Sequence, residues 1–157
     1  MLYSRAARPW TVDRGPWTVD RGPWTVDNSK SWNEQQHSPS LSAEMMMWFR
    51  DFYLPKKADW SNPEASPLLW TGDWSKLPPA VVIVAGMDVL RDEGEAFGEK
   101  LRQAGVNVQV TTFIDQPHIF PAMSGALEDG RRAITIMCES LYDAFYNNNS
   151  IFARPNI

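Results

Sequence analysis

Asp88 and His118 are the residues of this chain whose types and placement can do acid–base chemistry. A carboxylate that holds an imidazole at Nδ1 fixes the tautomer that takes a proton at Nε2. A hydroxyl or thiol that gives up that proton becomes a nucleophile. Asp88 follows the apolar run Val81-Val82-Ile83-Val84-Ala85, and His118 follows a second apolar stretch that closes with Asp115-Gln116-Pro117. Each falls just beyond a segment that reads as a strand. Blander readings exist for both. An aspartate ahead of Arg91-Asp92-Glu93 also favours a helix N-terminus electrostatically, and a lone histidine after a proline is more often a loop or packing residue.

The elements that must position the pair are written in the hydrophobic periods. Val81 to Ala85 is a continuous β-branched run behind Pro78-Pro79, as in a parallel strand buried on both faces, and Gly86 is expected to break it. From Arg91 to Ala104, Phe97, Leu101 and Ala104 share one stripe, charged residues lie mostly elsewhere, and Gly105 is placed to end the helix. Arg91, Asp92 and Glu93 read as a solvated, helix-capping face. Val106, Val108 and Val110 then alternate with polar residues, so a second strand is expected to end just before His118. Strand, crossover helix and strand predict parallel neighbours joined by a right-handed connection. Adjacent strands lie about 4.8 Å apart, so side chains in loops at the same sheet edge come within hydrogen-bonding reach. That edge is where sites gather in open α/β sheets. Leu127 to Tyr146 reads as a last helix with Ile134, Met137, Cys138, Leu141 and Phe145 turned inward over one sheet face, ended by Asn147-Asn148-Asn149. The fold class is α/β.

Three stretches carry a family resemblance: Ala85-Gly86-Met87-Asp88-Val89-Leu90-Arg91-Asp92-Glu93-Gly94-Glu95, then Leu101-Arg102-Gln103-Ala104-Gly105-Val106, then His118-Ile119-Phe120. Through them the chain resembles the hormone-sensitive-lipase-like carboxylesterases of the α/β-hydrolase fold. The segment from Leu41 to Leu68, with Trp48-Phe49, Tyr53-Leu54-Pro55 and Asn62-Pro63-Glu64-Ala65-Ser66-Pro67, is similar to the family's lead into this half of the sheet. The resemblance runs from about Ser40 to Phe145 and implies a partial α/β-hydrolase fold, its C-terminal parallel strands and flanking helices. It implies that Asp88 is the triad acid and His118 the base. Ile119 stands where the family usually has glycine in its His-Gly-Phe motif. Trp48, Phe49, Phe52 and Tyr53 are expected either to line an acyl pocket or, as an aromatic stripe at helical spacing usually does, to form core.

The family's nucleophile elbow Gly-x-Ser-x-Gly and its His-Gly-Gly oxyanion motif occur nowhere in this sequence. Loss of a triad nucleophile typically costs about a millionfold in turnover. The resemblance therefore implies carboxylic ester hydrolysis for the family, while this chain alone is expected to be inactive. Substitutes are poor. Met123-Ser124-Gly125 lacks the preceding glycine that a strained strand-to-helix elbow needs, and Cys138 sits in a helical apolar stripe that reads as a buried, inert thiol. Three functions remain open at this point. They are part of a longer serine esterase acting on small acyl esters, a truncated non-catalytic module that pairs through its sheet edge with an intact esterase or with a second copy, and an enzyme with a replacement nucleophile.

The N-terminus is a different kind of sequence. Pro-Trp-Thr-Val-Asp recurs at Pro9–Asp13, Pro16–Asp20 and Pro23–Asp27, joined by Arg-Gly. Pro and Gly in each unit exclude a continuous helix, and the units are too short and few for a solenoid. Such perfect copies suggest recent duplication of a short coding unit or translated repeat DNA, with a Trp-presenting binding tail as the functional alternative. Asn28 to Ser40 reads as a polar, disordered linker. The expected organisation is thus a disordered repeat and linker over 1–39, part of an α/β-hydrolase domain over 40–146, and a tail over 147–157.

The net charge of −4 and the pI near 5.1 argue against a nucleic-acid surface. No apolar run approaches the roughly 20 residues that cross a bilayer, and no signal-peptide core is present. One cysteine rules out an internal disulfide framework and favours the cytoplasm. No cofactor is implied, because two histidines and that cysteine make no metal-ligand cluster and Gly94 to Gly98 lies within the helical stripe. The strand left without a partner on its inner edge predicts marginal stability in isolation.

Overall fold

The computed structural model describes residues 29–146, with the repeats and the tail at 147–157 lying outside them. The chain enters through a short helix, α1 (Lys30–Glu34), capped by the Ser29 hydroxyl, which accepts from Trp32 N–H. Helix α2 (Ala43–Tyr53) starts at Ser42, whose hydroxyl accepts from Met45 N–H. Three single-turn 3₁₀ segments lead from there to β1 (Ala80–Met87), α3 (Arg91–Gln103), β2 (Val108–Pro117), a 3₁₀ turn at Phe120–Met123, and α4 (Glu128–Tyr146). β1 and β2 pair in parallel, as the strand, helix, strand pattern predicts.

The two strands carry a helix on each face. On one side Trp74, Leu101 and Val106 form a core with Leu68, Phe97 and Val108 packed against it, so the predicted stripe of α3 is the one that is buried. Lys100 lays its ammonium over the Trp74 ring, 4.4 Å from the centroid, and caps this cluster from outside. On the other side Ala85, Phe113, Phe120 and Ala133 pack together with Ile83, Leu127 and Ile136. The acidic Asp92 and Glu93 in the first turn of α3 and the basic Lys100 and Arg102 in its last turn complement the helix dipole. Gly105 ends the helix at φ 81°, where Gly105 N–H donates to Arg102 O and Val106 N–H to Leu101 O, the paired bonds of a Schellman cap.

Four sequence expectations are corrected. Gly86 does not break β1, which continues to Met87. It is needed because β2 crosses so closely that a Cβ there would collide with the Ile114 carbonyl. The linker expected over Asn28–Ser40 contains α1, and Ser31 and Ser38 are buried. Local polarity suggested solvation, but their partners lie far along the chain. In α4 only Gly130 and Ala133 are buried, whereas Ile134, Met137, Leu141 and Phe145 are exposed and Cys138 is an exposed free thiol. The helix touches β1 and the Phe120–Met123 turn, and Met137 of the stripe that was expected to face inward reaches the cleft described below. Trp48, Phe49, Phe52 and Tyr53 are likewise exposed, stacking on one another at 4.5 to 5.1 Å where rings meet rather than filling a core or the cleft described below.

Candidate active site

The pairing of β1 with β2 changes register just before the site. Ala80 pairs with Val108 and Ala85 with Phe113, an offset of 28, but Met87 pairs with Pro117, an offset of 30. Continuing the first offset would set Gln116 beside Asp88. The irregularity inserts two residues into β2, and the next step beyond Met87 and Pro117 brings His118 opposite Asp88. The side chains meet: His118 Nδ1 lies 2.7 Å from Asp88 Oδ2.

Asp88 is 5% exposed, and its two carboxylate oxygens and its carbonyl are all hydrogen-bonded. Its Oδ1 accepts from Leu90 N–H at 3.0 Å, closing a turn at the start of α3, and its carbonyl accepts from Arg91 N–H at 3.2 Å. An ionised carboxylate only accepts, so Nδ1 of His118 carries the proton that joins them and Nε2 of the neutral ring keeps a lone pair. The imidazole side chain is 39% exposed. Its pKa is raised above the ordinary histidine value, because the hydrogen bond and the charge of Asp88 favour the imidazolium more than burial of the ring opposes it.

Both residues border an open cleft of about 320 Å³ whose other walls are apolar, among them Ile83, Val84, Leu90, Phe120 and Met137. Neither Ser124 nor Cys138 borders it. A buried acid, an oriented base and an apolar cleft can accept a proton from a nucleophile and later return it to a leaving group.

The model of the alpha/beta hydrolase fold family matches residues 16–122. The chain belongs to that family. Its place is in the hormone-sensitive-lipase-like branch, as the motifs around Asp88 and His118 imply. Among curated relatives, an AB hydrolase superfamily protein of Schizosaccharomyces pombe is 44% identical over 103 residues, covering 65% of this chain and 30% of that protein. An ethyl acetate hydrolase of Pseudomonas putida is 34% identical over 101 residues, covering 64% and 31%. The crystal structure of an esterase from the hyperthermophilic archaeon Pyrobaculum calidifontis superposes with a TM-score of 0.69 at 35% identity, covering 74% of this chain and 38% of that one. The chain thus spans about a third of the length of the relatives it matches.

Sequence reasoning missed the groups that hold the acid's loop. Arg91 and Asp92, read as a solvated face, are largely covered: Asp92 accepts from Ser31 N–H at 2.8 Å and from Arg91 Nε at 3.1 Å, and Arg91 reaches Glu34 at 2.9 Å and the Gly86 carbonyl at 3.3 Å. The shift of register was missed as well. Its only local signal is Gly86, which reads as a strand end until the neighbouring backbone is seen.

Proposed function

We propose that Asp88 and His118 are the acid and base of a serine carboxylesterase that acts on small acyl esters. The observation that carries the reading is the 2.7 Å Asp88–His118 bond at the C-terminal edge of two parallel strands, in a chain of this family. In the proposed reaction His118 Nε2 takes the proton of an attacking serine hydroxyl, Asp88 stabilises the imidazolium, and the same proton passes to the departing alkoxide. Water then repeats the cycle on the acyl group. This sequence contains neither the Gly-x-Ser-x-Gly elbow nor the His-Gly-Gly motif, so the chain by itself is expected to hydrolyse no ester. The proposed location is the cytoplasm; no helix among the described residues is long and apolar enough to cross a membrane.

A chimaera tests the assignment. Residues 29–146 would replace the matching segment of the Pyrobaculum calidifontis esterase, and p-nitrophenyl butyrate hydrolysis would be followed. Activity is expected, with His118→Asn lowering kcat by about 10⁶-fold and Asp88→Asn by about 10⁴-fold. A folded chimaera whose rate is indifferent to His118→Asn would refute it.

A second reading rests on a separate observation: among the described residues β1 pairs only with β2, and the apolar stripe of α4 is exposed beside it. In this reading the chain is a non-catalytic module that pairs through the β1 edge with an intact esterase or a second copy. Co-purification of the tagged chain with a full-length relative, abolished by a proline at Val82, is the expected result, and failure to co-purify removes the reading.

A further inference from the structure

Met87, Asp88 and Val89 leave the sheet where ladder bonding stops, and their carbonyls need other partners. Asp88 O is taken by the first turn of α3. Both flanking carbonyls are taken by serine hydroxyls from far upstream. Ser38 Oγ donates to Met87 O at 2.6 Å across 49 residues, and Ser31 Oγ donates to Val89 O at 3.0 Å across 58. Ser31 is fully buried and Ser38 is 7% exposed. Ser31 also accepts from Asp92 N–H at 3.2 Å and gives its own N–H to Asp92 Oδ2 at 2.8 Å, so the upstream strap, residues 29–38, and the start of α3 are bonded in both directions. Arg91, bonded to Glu34 of the strap, takes the Gly86 carbonyl too.

We propose that Ser31 and Ser38 are positioning residues for the acid: they clamp the peptide groups on either side of Asp88 and so hold its carboxylate on His118. The proposal rests on the acid–base reading above. A carboxylate whose backbone is fixed on both sides loses little freedom in meeting its partner, which makes the bond to the base stronger than a loop aspartate would give. The strap would then be required for the strength of the dyad as well as for stability.

Titration of the full chain by histidine NMR reads this without any need for turnover. The sequence has two histidines, His37 and His118, so His118→Asn assigns the signals. Of the charged groups near the ring, Asp88 bonds it directly. Arg91 of α3 is paired with Asp92 of the same helix and with Glu34 of α1, Asp129 at the start of α4 accepts from Gln116, and Glu128 is paired with Arg131. Ser31→Ala and Ser38→Ala are each expected to lower the His118 midpoint by about half a pH unit or more. Ser38→Thr, which keeps the hydroxyl, is expected to restore it.

Ser42→Ala, which removes the cap of α2 and none of the bonds to the peptide groups beside Asp88, is the stability control and should lower Tm with the midpoint unmoved. Folded Ser31→Ala and Ser38→Ala chains whose midpoints stay at the parent value, or move no further than Ser42→Ala moves them, overturn the proposal. If either alanine variant fails to fold, Glu34→Gln serves, since it frees Arg91 of the strap at the surface and is expected to lower the midpoint in the same direction. Asp88→Asn separates the two readings. If it leaves the midpoint unchanged the acid–base assignment itself fails, whereas a fall with Asp88→Asn but none with the serine variants sinks the clamp alone.

Discussion

His118 is bonded on one side to a buried carboxylate and open on the other to an apolar cleft. Because its folded pKa is raised above the ordinary value near 6.5, the pairing contributes stability that is fully present below that value and lost as pH rises through the folded pKa. Tm is therefore expected to be level between about pH 5 and 6 and then to decline, and in His118→Asn that decline should vanish when Tm is scanned against pH. The sign reverses for catalysis. The base works only after its proton has gone, so log kcat/KM of the chimaera is expected to rise through the same raised pKa, and Asp88→Asn should move that limb to lower pH. At this scale the pairing of Asp88 with His118 was legible because each follows an apolar run at a strand end. Ser31 and Ser38 were not, since a serine that bonds a carbonyl 49 or 58 residues away leaves no periodic trace in its own neighbourhood.

Gly86 and Gly105 separate two uses of glycine within the same strand, helix, strand unit. Gly86→Ala brings a methyl into the Ile114 carbonyl and must push β2 away where the register shifts. It is expected to cost roughly 1–3 kcal/mol in urea unfolding and to lower the His118 midpoint, because the bulge aligns the pair. Gly105→Ala meets nothing within 4 Å and strains only the left-handed backbone, so a cost of about 1 kcal/mol with no change at His118 is expected. Equal effects of the two variants on His118 would count against the role given to the bulge. The periods of β1, α3 and β2 were readable because each element buries a face against its own neighbours in the unit. The buried side of α4 was not. Its longest apolar stripe was taken for the inner one, while Gly130 and Ala133 are the residues small enough to sit against the Phe120–Met123 turn.

Among the described residues, a two-stranded parallel sheet with a helix on either face leaves much apolar surface uncovered: Leu141 is 58% and Phe145 76% exposed. Patches of this kind promote association. Sedimentation of the chain is expected to show mass rising with concentration, and Leu141→Glu with Phe145→Glu should suppress it. Thermal unfolding is expected below about 60 °C, and a cooperative transition above that would show that two strands suffice. Whole-molecule organisation was only partly legible, because composition reports how much apolar surface exists and not which element will lie over it. The parallel unit that joins Asp88 to His118 has a further meaning for inheritance. Asp88 and His118 lie within one continuous stretch of the chain, together with the helix and register shift that align them. A recombination breakpoint anywhere upstream of β1 therefore transfers the pair intact to a new neighbour, but leaves Ser31 and Ser38 behind unless it falls before them.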